Sequence, residues 1–261
     1  MPAILRRVKI QCSHREGTLP VRPVTKTSVI IPAYNEAGTV EACVRRVVEQ
    51  RPAGLPIEVI VVESNSHDDT RHIVTELARD LPIRLVLEDA PRGKGSAVRR
   101  ALAEVTGEVV IIQDADLEYD PIDYDSLVKP IVSGETLFVL GSRVLGKGHW
   151  AIRKFEGKPV RELLFNAGGH VVNGFFNLLY GTHFTDQATM YKVFHVDATR
   201  AITWVCDSWD FDVEILAKLV RSGVVPIEVP VHYRARTGDA GKKMRLRDVL
   251  TVVHAIVRFR L

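Results

Sequence analysis

Cysteine is scarce in this chain. Only Cys12, Cys43 and Cys206 occur among 261 residues, and they are scattered, odd in number and free of any C-x-x-C spacing. This usage excludes a disulfide-stapled miniprotein and favours free thiols in a reducing compartment, so we expect a cytoplasmic protein. With 46% hydrophobic and 26% charged residues, the composition also excludes a disordered chain.

Long hydrophobic runs are also missing. No stretch reaches the roughly 18 uninterrupted apolar residues of a membrane-spanning helix. Residues 1–27 contain arginines but no apolar h-region, which predicts that they are not a signal peptide. We therefore expect a soluble protein that at most lies on the cytoplasmic face of a membrane.

The net charge is only +3, but the basic residues are concentrated at the two ends. Residues 1–26 carry six Lys or Arg against one acid, and residues 234–261 carry eight against two, so the body between them is acidic. Basic ends are typical of solvated tails, and they also suit a phosphate-rich or anionic surface. Basic residues are not interleaved with aromatics along a face, which argues against a nucleic-acid partner.

From residue 28 onward, short β-branched runs alternate with amphipathic segments. The runs predict buried strands, and the segments between the first four predict helices. This alternation favours a single α/β domain with a mostly parallel central sheet flanked by helices. The predicted strands are Ser28–Ile31, Glu58–Val62, Arg84–Leu87, Val109–Ile112 and Thr136–Leu140, and the predicted helices are Thr39–Gln50, Asp68–Asp80 and Ser96–Thr106.

The pattern changes after Gly141. Helices over Val160–Tyr180 and Phe211–Val220 and a strand over Val224–Val229 predict an elaborated second half of the same domain. We expect a basic irregular arm over residues 1–26, the α/β domain over residues 27–243 and an amphipathic basic helix over residues 244–261.

Polar clusters follow the predicted strands or precede the next helix. Open parallel sheets bind ligands at the carboxyl ends of their strands, so these clusters predict one shared site. They are Pro32–Glu36, Glu63–Ser66, Pro91–Gly95, Gln113–Glu118 and Gly141–Arg143.

The sharpest cluster is Asp114-Ala115-Asp116, directly after a buried strand. Residues two apart in an extended loop point the same way, so both carboxylates, with Glu118 nearby, can face one point. Two or three carboxylates leave coordination positions open for phosphate oxygens, as Mg²⁺ or Mn²⁺ sites usually do. The alternative is an exposed acidic turn.

Arg92-Gly93-Lys94-Gly95 precedes a predicted helix. Glycines let backbone amides approach an anion and a helix start favours negative charge, so this loop predicts nucleotide or phosphate binding; a simple basic turn is the alternative. Gly141–Gly148 only approximates a P-loop, because Gly148 stands where Ser or Thr belongs. Arg143 is instead a candidate phosphate clamp.

These motifs, in this order, resemble those of the family 2 glycosyltransferases of the GT-A fold, over roughly residues 28–258. Within the family the chain is most similar to the dolichyl-phosphate mannosyltransferase and polyprenyl-phosphate glycosyltransferase branch. The segments that carry the resemblance are Ser28–Glu36, Arg92–Gly95, Gln113–Leu117, Gly141–Arg143, Thr185–Gln187, Tyr233–Arg236 and Gly241–Lys243.

The resemblance implies transfer of a sugar from a GDP- or UDP-sugar with Mg²⁺ or Mn²⁺ as cofactor. Glu63-Ser64 replaces the usual pair of aspartates, so the base of the donor nucleotide can be either guanine or uracil. The expected metal ligands are Asp114 and Asp116, joined by Glu118, which stands where the mannosyltransferases often carry Gln or Ser; the expected catalytic residues are Asp116, Arg143 and Asp186. The implied donor-binding residues are Pro32, Tyr34, Glu36, Glu63, Arg92, Lys94, Gln113, Asp114, Ala115, Asp116, Arg143, Arg236 and Lys242.

The chemistry of the attacking group distinguishes between the possible acceptors. A hydroxyl needs a carboxylate base, for which Asp186 is the candidate, whereas a phosphate monoester is already nucleophilic at neutral pH. Cations such as Arg143, Arg234 and Lys243 favour a polyprenyl phosphate, with inversion at the anomeric carbon. The alternatives are a soluble hydroxyl acceptor, a non-catalytic nucleotide-sugar binder, a nucleotidyltransferase or a purely structural domain.

The carboxyl-terminal segment from Met244 has apolar residues at three- and four-residue steps and arginines near its ends. Its apolar stripe fits a helix that docks on the core. The same stripe and arginines also fit a helix lying in an anionic headgroup region, which predicts peripheral membrane contact.

Overall fold

The computed structural model of the chain describes residues 6–7, 21–146, 152, 159–224, 226–236 and 246–261. Within these residues one sheet has eight strands in the order β1-β8-β6-β7-β5-β2-β3-β4. The strands are β1 Arg6–Arg7, β2 Thr27–Ala33, β3 Ile57–Glu63, β4 Ile83–Leu87, β5 Val109–Ile112, β6 Phe138–Ser142, β7 Lys192–His195 and β8 Ile227–Pro230.

Helices connect the strands. Each of the first three has an apolar face that packs against the sheet, and their buried residues include Val44 in α1, Val74 in α2 and Val98 in α3. The helices are α1 Val40–Val48, α2 Thr70–Asp80, α3 Lys94–Leu102, α4 Tyr124–Val132, α5 Pro159–Tyr180, α6 Phe211–Arg221 and α7 Leu246–Arg258.

The predicted α/β class and mostly parallel sheet are confirmed. Strands β4, β3, β2 and β5 are mutually parallel, and most of their residues are apolar, as is typical of parallel strands covered by helices. β7 runs antiparallel to both β5 and β6. This reversed strand brings its beginning, at Lys192, to the same edge of the sheet where the parallel strands end.

Three expectations need correction. Helix α4 and strand β7 were not predicted, because α4 is short and contains Pro130, and because β7 contains Lys192 and His195 among its four residues. The amino-terminal arm is not wholly irregular, since Arg6–Arg7 pairs with β8. Its residues 21–26 have no regular structure, and its remaining residues lie outside the described part.

The carboxyl-terminal helix docks on the core. In α7, Ala255, Ile256 and the adjoining Phe259 are buried, and the hydroxyl of Tyr180 donates to the Ile256 carbonyl at 2.9 Å. Leu250 and Val257 remain exposed on the other side of α7. No helix of the described residues combines the length and the hydropathy required to cross a bilayer.

Candidate active site

The polar loops that follow β2, β3 and β5 meet at one edge of the sheet. The strand register fixes this arrangement: Ala33 pairs with Glu63 and Ile30 pairs with Ile112. The hydrogen bond from the Gln113 backbone N–H to the Ile30 carbonyl, at 2.9 Å, continues the ladder into the Asp114 turn. These three loops therefore lie together at the carboxyl ends of the strands, where the sequence predicted a site.

Each aspartate of the Asp114 turn contacts a cation from a different part of the chain, Lys94 at the start of α3 or Arg236 after β8. The Asp114 carboxylate forms an ion pair with the Lys94 ammonium, and Asp116 Oδ2 lies 3.0 Å from Arg236 Nη2. The four side chains are only 14–21% exposed, so they lie in a shallow cleft and not on the open surface. Partial burial strengthens such pairs because water screens them less.

Arg236 joins the turn to the first loop. Its Nη2 also donates to both carboxylate oxygens of Glu36, at 3.0 and 2.9 Å. Its Nε is buried and has no hydrogen-bond partner among the described residues. A buried donor without a partner is costly, so this nitrogen indicates a place for an anionic oxygen beside Asp116.

Glu118 faces the segment 233–236. Its carboxylate accepts a hydrogen bond from the Tyr233 hydroxyl at 2.7 Å and one from the Arg236 backbone N–H at 3.0 Å. Glu118 is buried, and its backbone carbonyl accepts from the Arg234 N–H at 2.8 Å. Glu118 therefore holds segment 233–236 in place. This leaves Asp114 and Asp116 as the pair of carboxylates that could hold a metal.

A divalent cation fits this donor set. Across the described part of the chain, no group of three or more His, Cys, Asp or Glu side chains is arranged to hold a metal. Two carboxylates nevertheless suit Mg²⁺ or Mn²⁺ when diphosphate oxygens supply further ligands. Arg236 Nε, which lies near Asp116 and has no partner in the described part of the chain, is consistent with such oxygens.

Arg143 and Asp186 form a buried ion pair. Arg143 Nε and Nη2 each donate to one carboxylate oxygen of Asp186 at 2.7 Å, and the Arg143 backbone N–H donates at 3.0 Å. The Arg143 guanidinium also lies 5.2 Å from the centre of the Tyr233 ring. Although burial opposes ionisation, Arg143 holds the pKa of Asp186 below its usual range.

This pairing changes two expectations. A carboxylate with a lowered pKa that already accepts three hydrogen bonds is a poor general base, so Asp186 serves instead to position Arg143. The sequence predicted that Arg143 clamps a phosphate, and the structure gives this arginine a structural role as well, because its pair with Asp186 ties the end of β6 to the segment before β7. A buried bidentate pair of this kind resists removal of either partner.

The glycines of Arg92–Gly95 allow close packing between two backbones. A Cβ on Gly95 would lie 2.6 Å from the Cys206 carbonyl oxygen and 2.7 Å from Phe211 Cβ, and one on Gly93 would overlap the Asp207 carbonyl oxygen. The Ser96 backbone N–H donates to that same Asp207 oxygen at 3.1 Å. The structure therefore explains these glycines by the 206–208 segment and not by an anion.

Replacing Gly95 with alanine is expected to destabilise the protein by about 1–3 kcal/mol, because the new methyl group overpacks a backbone contact. Chemical denaturation measures this change. Gly168→Ala is the matched control: it also lies inside a helix, but its Cβ meets nothing within 4 Å, so the variant should gain up to about 1 kcal/mol. Equal stability of the two variants would contradict the packing argument.

The Glu63 carboxylate is turned toward its own loop. It is buried, accepts from the backbone N–H of Ser66 at 2.6 Å and of Asn65 at 3.2 Å, and pairs with Arg71. These donors lower the pKa of Glu63 against the effect of burial. Glu63 therefore shapes the loop that faces Tyr34, whose ring lies 6.1 Å from that of His67.

The comparison with known sequences decides the family. Residues 28–202 match the sequence profile of glycosyl transferase family 2. The chain belongs to this family. Its fold agrees: glucosyl-3-phosphoglycerate synthase from Mycobacterium tuberculosis, solved with Mn²⁺, uridine diphosphate and phosphoglyceric acid, superposes with a TM-score of 0.67 at 19% identity, over 90% of this chain and 78% of the synthase.

Two curated relatives of this family 2 glycosyltransferase illustrate its range. Glycosyltransferase AglD from Haloferax volcanii is 31% identical over 89% of the chain, and the dolichol-phosphate mannosyltransferase from Pyrococcus furiosus is 27% identical over 90%. The chain spans 36% of the length of AglD and 64% of the length of the mannosyltransferase. Both relatives therefore contain regions that this chain does not match.

The other predicted site residues of the glycosyltransferase differ in how far they are exposed. Pro32 lies in β2 and Tyr34 is half-buried beside it, whereas Arg92 is exposed. Gln113 and Ala115 are buried, so their side chains face the interior. Lys242 lies outside the described residues.

Sequence reasoning missed two charged residues of the site. Asp212, in the first turn of α6, and Lys192, at the start of β7, lie near enough to Lys94 to interact electrostatically. Burial raises the pKa of Asp212, with Asp114 acting in the same direction and Lys94 and Lys192 opposing it. Burial lowers the pKa of Lys192 to about 8. For Asp212, the only signal in the sequence was an acidic residue in the first turn of a predicted helix.

Proposed function

We propose that this glycosyltransferase is metal-dependent and inverting, and that it moves a sugar from a GDP- or UDP-sugar to a polyprenyl phosphate. The observation that carries the proposal is the arrangement of Asp114 and Asp116 after β5, each beside a cation from another part of the chain. A nucleoside diphosphate leaving group needs both kinds of charge: carboxylates to hold a metal and cations to neutralise its phosphates.

The residues have distinct tasks in this proposal. Asp114 and Asp116 would hold Mg²⁺ or Mn²⁺, which when bound supplies Lewis-acid stabilisation of the departing diphosphate. Lys94 and Arg236, which now contact these carboxylates, are placed to bind diphosphate oxygens. The mycobacterial synthase, whose structure of the same fold was solved with Mn²⁺ and uridine diphosphate, supports this assignment.

A lipid-linked acceptor is supported by the surface of α5. Leu164, Val171 and Leu178 are 67–83% exposed, and α5 contains no Lys, Arg, Asp or Glu after Glu162. The helix is about 33 Å long, so this apolar face is large enough to lie along a membrane. The name of the Pyrococcus relative, a dolichol-phosphate mannosyltransferase, points in the same direction.

The α5 face is connected to the site. On the inner side of α5, Asn177 Nδ2 donates to the Phe184 carbonyl at 2.8 Å, and Asn173 Oδ1 accepts from the Gln187 N–H at 2.8 Å. These bonds flank Asp186, the partner of Arg143. The segment next to α5 thus carries Asp186, the partner of Arg143, so a lipid headgroup at α5 would lie near the arginine that the acceptor phosphate needs.

A hydroxyl acceptor is the second candidate, and Asp212 favours it. This carboxyl has a raised pKa and lies near Lys94 and Asp114, so it is a better general base than Asp186. Asp212→Asn should abolish transfer to a hydroxyl, because the nucleophile would lose its proton acceptor. Transfer to a phosphate monoester should fall much less, since that group needs no base.

The deciding experiment is a panel of radiolabelled GDP- and UDP-sugars, each incubated with and without Mn²⁺ and with polyprenyl phosphate, glycerate phosphates or no acceptor. Mn²⁺-dependent label in the organic phase supports the first proposal. Label that appears only in water-soluble products supports the second candidate. Absence of transfer from every donor, with the acceptors present, would refute both.

Membrane contact is tested by liposome flotation with anionic vesicles at low salt. Leu164→Glu and Val171→Glu are each expected to lower vesicle affinity by about tenfold or more, because burying one large aliphatic side chain is worth about 1.5–3 kcal/mol. Point variants are preferable to deleting residues 245–261, because α7 packs on the core through Ile256 and Phe259.

Val132→Glu is the control for flotation. Val132 is also an exposed aliphatic residue, at 41%, but it ends α4 and lies at the opposite end of the sheet from the site. Its variant should float like the parent chain. Flotation that survives both α5 substitutions, or that fails for the parent chain at low salt, would remove the main support for a lipid acceptor.

A further inference from the structure

Gln113, which links β5 to the Asp114 turn, is completely buried. Its side-chain oxygen accepts hydrogen bonds from two tyrosine hydroxyls, that of Tyr124 at 2.8 Å and that of Tyr191 at 2.7 Å. Its side-chain nitrogen donates to the backbone carbonyl of Asp114 at 2.9 Å. The side chain thus faces the interior and the backbone of the turn, and it does not face a ligand.

The Asp114 turn is held by several such contacts. The Asp114 carbonyl also accepts a hydrogen bond from the buried Cys43 Sγ at 3.5 Å. Leu117 has a φ of 61°, a conformation that is unfavourable for a residue with a side chain. A turn with such a residue needs support from its surroundings to keep its shape.

The two tyrosines come from separate parts of the chain. Tyr124 begins α4, whereas Tyr191 directly precedes β7 in the second half of the chain. The Tyr191 carbonyl accepts from the Gly141 N–H at 2.8 Å, and the Tyr191 ring lies 4.6 Å from the ring of Tyr119. The Gln113 oxygen is therefore a point at which the donor loop and the second half of the domain are joined by hydrogen bonds.

We infer that Gln113 is a positioning residue that sets the orientation of the Asp114–Asp116 turn through its hydrogen bonds to Tyr124, Tyr191 and the Asp114 carbonyl. Only an amide of this length offers an acceptor to two hydroxyls and a donor to a carbonyl. Glutamate would place an oxygen against the Asp114 carbonyl, and leucine would leave all three partners unpaired in the interior. The inference rests on the proposed function, in which this turn holds the metal and the diphosphate.

The test compares Gln113→Glu and Tyr191→Phe with Tyr180→Phe. Tyr180→Phe also removes one largely buried hydroxyl, which donates to Ile256, but it does so far from the turn. Hydrogen exchange of the peptide covering residues 113–119 reports on the turn without any ligand. Calorimetry measures binding of UDP and GDP in the presence of Mn²⁺.

We expect faster exchange at residues 113–119 in the first two variants, with nucleotide affinity in Mn²⁺ lowered by about tenfold in Gln113→Glu. Tyr180→Phe should change neither quantity, whatever its melting temperature. Unchanged exchange at 113–119 in both test variants would overturn the inference, and so would tighter exchange protection. Failure of the parent chain to bind either nucleotide with Mn²⁺ would instead overturn the proposed function, while the exchange data would still decide the role of Gln113.

Discussion

Asp116→Asn is expected to lower turnover by at least about 10²–10³-fold, the loss that follows removal of one preorganised electrostatic group from an active site. The amide keeps the shape of the side chain and an oxygen that can accept from the Glu118 N–H, now at 3.1 Å. It loses the charge that pairs with Arg236 and that would ligate the metal. Initial rates across a Mn²⁺ titration measure the effect.

Asp120→Asn is the matched control for this substitution. Asp120 follows the same turn and also pairs with an arginine, Arg46, but on the open surface. Its variant should retain near-parental turnover, and both variants should melt within a few degrees of the parent chain. Undiminished activity in Asp116→Asn, or full activity of the parent chain in excess EDTA, would refute the metal assignment.

Removing either partner of the Arg143–Asp186 pair is expected to destabilise the protein by about 3–5 kcal/mol, because the remaining charge is left buried and unpaired. Asp186 is 2% exposed at its side chain and Arg143 is 11% exposed, so water cannot replace the lost partner. Arg143→Met with Asp186→Leu should lose less than either single variant. Denaturant unfolding of the four proteins gives the coupling energy directly.

The pair also predicts an acid limit. Because the folded-state pKa of Asp186 is lowered, its contribution is fully present above its unfolded value of about 3.9 and is lost as the pH falls through the folded value. The stability difference between the parent chain and Asp186→Leu should therefore shrink below about pH 4. The exposed pair Glu41–Arg45 is the control, and Arg45→Met should cost under about 1 kcal/mol. A similarly small loss in Arg143→Met would contradict the argument.

The sequence predicted the first half of the fold well, because parallel strands covered on both faces are short runs of Val and Ile. It predicted β2 and β5 to within a few residues for this reason. It missed β7, whose Lys192 and His195 are buried polar side chains that only tertiary partners can stabilise. It missed α4 because Pro121 and Pro130 are turn signals in isolation.

The sequence predicted the residues of the candidate site that lie at strand ends. It did not predict all of those that lie elsewhere. Asp114 and Asp116 follow directly from the position of β5, and the structure places cations beside them. Asp212 was not predicted because it lies in the first turn of a helix and not at the end of a strand. Hydrophobic periodicity does not show which helix starts lie near the site. The roles of Glu118 and Asp186 also depended on partners far away in sequence: Tyr233 for Glu118 and Arg143 for Asp186.

The carboxylates and cations of the site pair with one another, so a ligand that binds there must replace one partner of an existing ion pair. A cation that takes the carboxylate of Asp114 or Asp116 sets free Lys94 or Arg236, and an anion that takes Arg236 uncovers Asp116. Each ligand thereby creates the partner that the other requires. Under the proposed function, metal and diphosphate would therefore bind with positive cooperativity, and by linkage each would strengthen the binding of the other by the same factor.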